Sequence, residues 1–501
     1  MPTAIRATFL AACVIPLGCN ALWGIDELGF GPAGDAGHGG VGGSGTTTAG
    51  GGGSTSSGTG GAGGAGGTQP HPTGDHVWSH RFGGTLIDRG ESVAVDAAGN
   101  VILFARFRGE FAVGGETFTN PPGDWTDDLL VIKLNPDGDI LWAKAFGDVS
   151  DQDPADVAVD TAGDILLTGE FAGTLDFGTD AVTANGRDPF VAKLSGDGAH
   201  LWTRSAGGPL HQTGRAVATG TSNNVVVVGH FEGTLDFGDG LLQAVGAGDV
   251  YLVKLNPSGT TLWTRHITGP AQQSARDVAI APDGSIAVLG GTIGAVDFGE
   301  GAKTGGVGDD GFVAKYDPLG GLHWAVVFGG SGALNPQSVA FDSAGQVVVV
   351  GTLNGQADCG QDSVTSIAHD AFVARFSGDL GTCLSNQLYG GAGDQLLESL
   401  AIDSHGNLVM AGDFGGTVDF GGGTLTAASW DSPLLVKLSG GLDHWWSQAF
   451  GDAATTSRNL AAVAPTGHVI MAGSFTSSVD FGGGALTSAG ERDIYVAKFL
   501  P

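Results

Sequence analysis

Short apolar runs, each bounded by Gly, Asp or Asn, alternate with polar turns from about residue 76 to the end of the chain. One stretch shows the unit. "DVAVD" (156–160) alternates apolar and polar positions, "TAGD" turns the chain, and "DILLTGEF" (164–171) is apolar on both faces. "AGTLDFG" follows, then a loop, "DPFVAKL" (188–194), the turn "SGDG" and "LWTRSAGG" (201–208). Period-two runs rich in Val, Leu, Phe and Trp between turn residues predict four β-strands. No segment carries a sustained helical period with caps.

The unit repeats. Trp78, Trp142, Trp202, Trp263, Trp324, Ser385 and Trp446 fall in one slot, about 61 residues apart. Four strands per repeat at constant spacing predict a β-propeller, whose doubly apolar strands pack blade against blade. The ordered part opens on a lone "LW" strand (residues 77–84) and closes on a third strand (Asp493–Leu500). Pairing the two would complete a blade and remove two open edges. The expected fold is therefore all-β, a seven-bladed propeller over residues 76–501, closed by strand 77–84.

The series "SVAVDAAGNV", "GTLDFG", "DPFVAKLSGDG" and "LWTR" resembles the β-propeller repeats called SBBP repeats, found in secreted bacterial proteins. The resemblance implies a fold and says almost nothing of activity, because propellers host enzymes and pure binders alike.

"DFG" also marks the magnesium site of protein kinases, but the strand lysine and H-R-D loop of that chemistry are missing. Here it recurs, placing Asp176, Asp236, Asp297, Asp419 and Asp480 in one slot, with Asp358 in an "ADCG" variant and Ala112 in the first unit. A residue that nearly every blade carries is a blade-forming residue. The expectation is a turn in which Asp accepts backbone N–H groups, Gly takes positive φ and Phe packs between blades. A second aspartate precedes the third strand (Asp128, Asp188, Asp249, Asp310, Asp370, Asp493, with Asp431 displaced by one). Within that strand a basic residue recurs as Lys133, Lys193, Lys254, Lys315, Arg375, Lys437 and Lys498. Such a half-buried charge needs a partner, and these repeated aspartates are the expected supply. Cys359 stands for the Phe of "DFG", and Cys383 lies two residues before Ser385, which stands for the Trp. All three departures share one unit, so a Cys359–Cys383 disulfide is expected, in keeping with export.

Composition bounds the partners. The chain of 501 residues carries 52 Asp+Glu against 21 Lys+Arg, a net charge of −31, which excludes a nucleic-acid ligand. Calcium is the one cofactor such acidity suggests, yet "NPDGD" (135–139) and "DVSDQDPAD" (148–156) do not match an EF-hand loop. No metal ligand set and no catalytic motif is assigned. His200 and His444, beside the "LW" strands, are expected in turns.

Residues 1–18 read as a lipoprotein-type signal peptide, with Arg6 before a short apolar core (Ala7–Gly18) and Cys19 after it. "IPLGC" resembles a bacterial lipobox, which implies lipidation of Cys19; "LAAC" ending at Cys13 is the competing match. Asn20, by the same resemblance, implies the outer membrane. Residues 19–30 follow the anchor. Residues 31–75, almost all Gly, Ser, Thr and Ala to about Gly74, read as a disordered tether with a reach of about 35 Å. Signal, tether and propeller together resemble surface lipoproteins of myxobacteria-like Gram-negative bacteria.

Comparing the repeats with one another separates frame from variation. The connection entering each first strand differs in every unit: "TLIDRGE", "DVSDQDPA", "PLHQTGR", "PAQQSAR", "SGALNPQ", "AGDQLLE", "DAATTS". So does the segment between "DFG" and the third strand. Propeller geometry puts both on one face, around the channel mouth, where loops on a rigid frame carry function. Trp125, Asp151, Asp153, His211, Arg215 and Arg276 are the ligand-face candidates. The expected function is a monomeric, lipid-anchored, non-enzymatic module binding protein or carbohydrate, touching membrane through its anchor alone. An extracellular polysaccharide hydrolase or lyase using loop carboxylates, and a structural envelope protein, are the alternatives.

Overall fold

In the computed structural model the described residues are 73–120, 125–360, 363–451 and 456–501. The chain divides into units Met1–Gly67 and Thr68–Pro501. The first unit, with the signal peptide, Cys19 and most of the tether, lies outside the described residues, as do 121–124 and 452–455 of the variable loops.

Among the described residues the second unit holds seven four-stranded antiparallel sheets and no helix. In blade 2 the strands are Gln152–Val159, Ile165–Phe171, Asp188–Leu194 and His200–Ser205, in sequential order from the channel outward. Blades 1 and 3–6 repeat this order. Blade 7 takes its first three strands from Thr456–Val463, Val469–Phe475 and Asp493–Phe499, and its outermost from His76–Phe82. The N-terminal strand therefore closes the ring as a seven-bladed propeller.

Alternation along the second strand explains the packing. Val101, Leu103 and Ala105 join a core shared with Ile494 and Val496 of blade 7, while Ile102 and Phe104 join one shared with Ile165 and Phe190 of blade 2. Each blade is thus half of two apolar cores. Each fully buried side chain of this size contributes about 1.5–3 kcal/mol.

The "DFG" segment begins a small hairpin between the second and third strands. Asp176 Oδ1 accepts the Gly178 N–H at 2.7 Å, and Asp236, Asp297, Asp419 and Asp480 each accept the N–H groups two and four residues on. Gly178 has φ 133°, a region L side chains avoid. Phe177, Phe298, Phe420 and Phe481 are buried. Each such carboxylate therefore acts within its own turn. In blade 1 the hairpin is Glu110–Val113 with Glu116–Thr119, and Ala112 simply pairs with Thr117.

A clamp links neighbouring blades at the end where third and fourth strands turn. The indole N–H of Trp263 and the ammonium of Lys254 both donate to Pro318 O of the next blade, at 3.3 and 2.8 Å. Trp142 with Lys133 holds Gly196 O, Trp324 with Lys315 holds Gly378 O, and Trp78 with Lys498 holds Pro136 O across the closure. Trp202 donates to Pro257 O, while Trp446 packs against Gly74.

The basic slot requires a correction. Its acid partners are neither the "DFG" aspartates nor those preceding the third strand. They are Asp96 for Lys133, Asp160 for Lys193, Asp342 for Arg375 and Asp403 for Lys437, which follow the first strand. The reason is distance along the strand. Asp128 and Lys133 are five residues apart on an extended chain, about 17 Å, so they occupy opposite ends of the blade. Blades 3, 4 and 7 have Gly220, Ala281 and Ala464 in the acid slot, and their lysines rely on the clamp carbonyl. Burial holds Lys254 and Lys498 below the ordinary ammonium range, whereas Asp160 and Asp164 outweigh burial and hold Lys193 above it.

The aspartates before the third strand cap the loop leading to it. Asp249 Oδ2 accepts the Val245 N–H and Asp493 Oδ2 the Ala489 N–H. In blade 6 Ser432, not Asp431, fills this slot and accepts from Ala428 and Ser429. Gly207 lies so close to the Asp188 carboxylate that a Cβ there would collide with it. His200 and His444 begin fourth strands rather than sitting in turns, and bond Thr203 and Ser447.

Cys359 and Cys383 form a disulfide, with Cα atoms 5.6 Å apart. Cys383 occupies the slot of His200, whose ring stacks on Phe177 in blade 2. The disulfide makes covalently the contact that this aromatic pair makes elsewhere.

Candidate functional site

The two variable connections do share a face. Gln152 N–H donates to Asp127 O, and Gln212 N–H to Arg187 O, so the loop before one blade's third strand is bonded to the start of the next blade's first strand. We call this the loop face. Buried Gln152 and Gln212 pin the entering loops, accepting Asp148 N–H and Gly208 N–H on their side-chain oxygens.

The loop-face candidates separate into three groups. Asp151, Asp153 and His211 belong to one ionic network spanning blades 1–3. Arg187 pairs with Asp151 at 3.2 Å, Asp153 at 2.6 Å and Glu170. Arg106 pairs with Asp153 at 2.7 Å, Asp127 at 3.3 Å and Glu91 at 3.1 Å. His211 Nε2 meets Glu170 at 2.9 Å, and that bond holds the imidazole pKa above its usual value. Glu170 is buried, which opposes ionisation, but His211 and Arg187 outweigh this and hold it below the usual range. Asp148, Asp151 and Asp153 of the oxygen-rich entering loop receive protein cations and backbone N–H groups.

Arg215 and Arg276 lie in the channel. Every first strand carries a bulge, and the bulged residues are Glu91, Ala155, Arg215, Arg276, Gln337, Glu398 and, in blade 7, Arg458 with Asn459. A bulge re-aims one side chain without breaking the ladder. Here it turns one residue per blade toward a cavity of about 280 Å³ on the channel axis. In five blades the next residue, Ser92, Asp156, Asp277, Ser338 or Ser399, bonds to a neighbouring blade. Ser92 Oγ donates to Asp156 at 2.7 Å and Ser338 Oγ to Asp277 at 2.8 Å. Burial, then Asp277, pushes the Asp156 carboxyl up to about 7. Burial, then Arg215 and Arg458, brings the Arg276 guanidinium down to about 9.

Trp125 stands apart, 68% exposed on the loop before the third strand of blade 1. Trp430 is 80% exposed at the corresponding point of blade 6, and Ile367 is 92% exposed in blade 5. Sequence reasoning missed Trp430, although it lies two residues before the third strand, where Trp125 lies three before. It also missed Glu91, Gln337, Glu398 and Arg458. Their signal was present: the last letter of most of the variable connections is the bulged residue.

No protein-family model matches the chain. One curated relative is an uncharacterised WD repeat-containing protein of Acanthamoeba polyphaga mimivirus, 21% identical over 261 residues that cover 43% of this chain. The chain spans only 18% of that protein's length. Among solved structures, polysaccharide lyase Uly1 superposes with TM-score 0.44 at 11% identity, over 82% of this chain and 90% of its own. The β-propeller domain of the Trilobed protease from Pyrococcus furiosus gives 0.41 at 8%, over 83% and 94%. Quinohemoprotein alcohol dehydrogenase from Comamonas testosteroni gives 0.38 at 12%, over 85% and 76%. Scores this low carry no activity to this chain.

Proposed function

We propose that this protein is a non-enzymatic binding module whose loop face takes protein or glycan ligands. One observation carries it: a closed frame holds Trp125 and Trp430 largely in solvent in the same connection, just before the third strand, of two blades. Single exposed apolar residues are ordinary, but exposed tryptophans in the same connection of two blades are of the residue type most enriched in binding hot spots. Such a ring offers an apolar face to a sugar or a peptide side chain. The module would be exported, held at the outer membrane or cell surface through lipidated Cys19, and carried on the glycine-rich tether.

Catalysis by loop carboxylates is less well supported. A general acid at neutral pH needs a raised pKa and access to substrate. Asp88 has the first, pushed up to about 7 by burial, but it is fully buried and accepts the Gly84 and Arg108 N–H groups. Asp151, Asp153 and Glu170 are held by Arg187 and Arg106.

Glycan and peptide arrays probed with the wild type, Trp125→Ala and Trp430→Ala test the proposal. A ligand retained by the wild type and lost by both variants is expected. Turnover of any polysaccharide, or binding indifferent to both tryptophans, would overturn it.

A further inference from the structure

Two Asn–Gly steps occur in the chain, Asn185–Gly186 and Asn354–Gly355, and the fold treats them differently. Such a step is chemically labile, because glycine has no side chain to keep its backbone nitrogen from the asparagine carboxamide before it. Asn354 is held. It ends the strand Val347–Asn354, pairs with Ala333, and its carboxamide nitrogen lies 3.2 Å from His369 Nε2. The Gly355 carbonyl accepts the Ser366 N–H. Asn185, by contrast, is exposed in the loop before the third strand of blade 2, three residues ahead of Asp188. Trp125 has that position in blade 1, three residues ahead of Asp128. The Asn185 backbone N–H donates to Asp188 Oδ2 at 3.0 Å. Among the described residues nothing bonds the Asn185 carboxamide or the Gly186 N–H. Gly186 has φ 117° and lies beside the next blade's entering loop, where a Cβ on it would meet the Leu210 carbonyl oxygen at 3.0 Å.

We propose that Asn185–Gly186 is a self-modification site that changes the charge of the loop face with time. The Gly186 nitrogen attacks the Asn185 side-chain carbonyl carbon. A C–N bond forms, the Gly186 amide proton passes to solvent base, and the carboxamide nitrogen leaves as ammonia. Water then opens the five-membered imide at either carbonyl, which leaves aspartate or isoaspartate at position 185. Water is the only co-reactant. Exposure admits it, the free carboxamide can turn onto the main chain, and the Gly186 N–H has no hydrogen bond to give up first. At Asn354 the same rearrangement must break the His369 contact and the strand pairing. The consequences follow from the place. The product puts a new negative charge two residues from Arg187, whose guanidinium already holds Asp151 and Asp153. Isoaspartate also lengthens the main chain by a methylene against the Leu210 carbonyl, in the loop that joins blade 2 to blade 3 through Arg187 O and the Gln212 N–H. The chemistry is independent of the binding reading, and only its effect on a loop-face ligand rests on that reading.

The test is incubation of the full chain at neutral and mildly alkaline pH, folded and in denaturant, followed by peptide mass spectrometry and isoaspartyl methyltransferase labelling. In the folded protein the peptide bearing Asn185 should gain the mass of an amide-to-acid exchange and the isoaspartyl label, faster as pH rises. The peptide bearing Asn354 should follow at least tenfold more slowly, a barrier difference of about 1.4 kcal/mol. In denaturant the two should react at similar rates, which assigns the contrast to the fold. Asn185→Gln, which would have to close a six-membered ring, should lose the label at this peptide, and circular dichroism checks that the variant folds. An Asn185 peptide that stays unchanged in the folded protein while reacting in denaturant would overturn the proposal. Equal rates at the two steps in the folded chain would overturn it as well, since the fold would then select neither. Array binding through Trp125 and Trp430 is scored separately, so a failure here leaves the binding reading standing.

Discussion

Two rings run through this molecule, and they treat the sevenfold repeat in opposite ways. The outer ring is the clamp, in which Trp78, Trp142, Trp263 and Trp324, each with a lysine of its own blade, hold a turn carbonyl of the next blade. The inner ring is the set of bulged residues, which runs Glu, Ala, Arg, Arg, Gln, Glu, Arg around the cavity. Both are fixed by the same strands, so backbone geometry does not explain the contrast. A residue kept in blade after blade answers a demand that every blade makes, namely packing on its neighbour. A slot that varies while its backbone stays constant is free of that demand and open to the chemistry of a ligand.

The comparison is tested hardest at the clamp. Trp263 is 8% exposed, packs in the core between blades 3 and 4, and donates to Pro318 O. Trp263→Ala should lower stability by about 3–5 kcal/mol, as measured by denaturant unfolding. Trp263→Phe keeps most of the apolar area and loses the hydrogen bond, so about 1 kcal/mol is expected. Equal losses in the two variants would mean that the bond, not the packing, holds the blades together.

Blade 5 tests the same idea where the repeat is broken. Ser385 replaces the clamp tryptophan, and Cys359–Cys383 replaces the aromatic contact at the start of the outer strand. Closing a loop of this length gives about 2–4 kcal/mol. Reducing agent, or Cys359→Ser with Cys383→Ser, should lower the calorimetric Tm accordingly, without altering any ligand that depends on Trp430. An unchanged Tm would show that the blade holds without this bond.

The legibility of the chain follows the same division. Strand order, blade number, ring closure and the disulfide were readable because each leaves a periodic mark or a matched break in one. The partners of the basic slot were misjudged because repetition shows which residues recur together and not which end of a strand they occupy. Asp96 and Lys133 are 37 residues apart in sequence and meet only when the first and third strands lie in one sheet. The candidate site was half legible. Arg215 and Arg276 stood out as charges in variable loops, whereas Arg187, Arg106 and Glu170 lie at strand ends that looked like frame. The channel lining lay in plain sight as the last letter of most of the variable connections, but a period-two pattern does not reveal the bulges that turn those residues inward.

A smaller effect is expected where one blade departs from a buried amide. Asp88 begins blade 1 in the position where Gln152, Gln212 and Gln273 begin blades 2–4, and burial pushes its carboxyl up to about 7. The folded pKa is raised above the unfolded value near 3.8, so the folded state binds the proton more tightly. The stability this gives is present below the unfolded pKa, declines from about pH 4 to 7 and is gone above. Asp88→Asn, which supplies the amide the other blades use, should therefore raise the unfolding free energy by on the order of 1–3 kcal/mol at pH 8 and little at pH 4. A gain that is the same at both pH values would remove ionisation as its cause.

The smallest effect on stability is expected at the residue proposed to carry binding. Trp430 is mostly in solvent, so Trp430→Ala should shift unfolding by no more than about 0.5 kcal/mol. Trp263→Ala, the same substitution in the outer ring, is expected to cost several times that while sparing any ligand that depends on Trp430. Measuring both variants by unfolding and by array binding gives a crossed result if the two regions are separable. Trp430→Ala losing stability as well as ligand would mean that the exposed tryptophan braces its loop, and the division between frame and binding face would fail at that point.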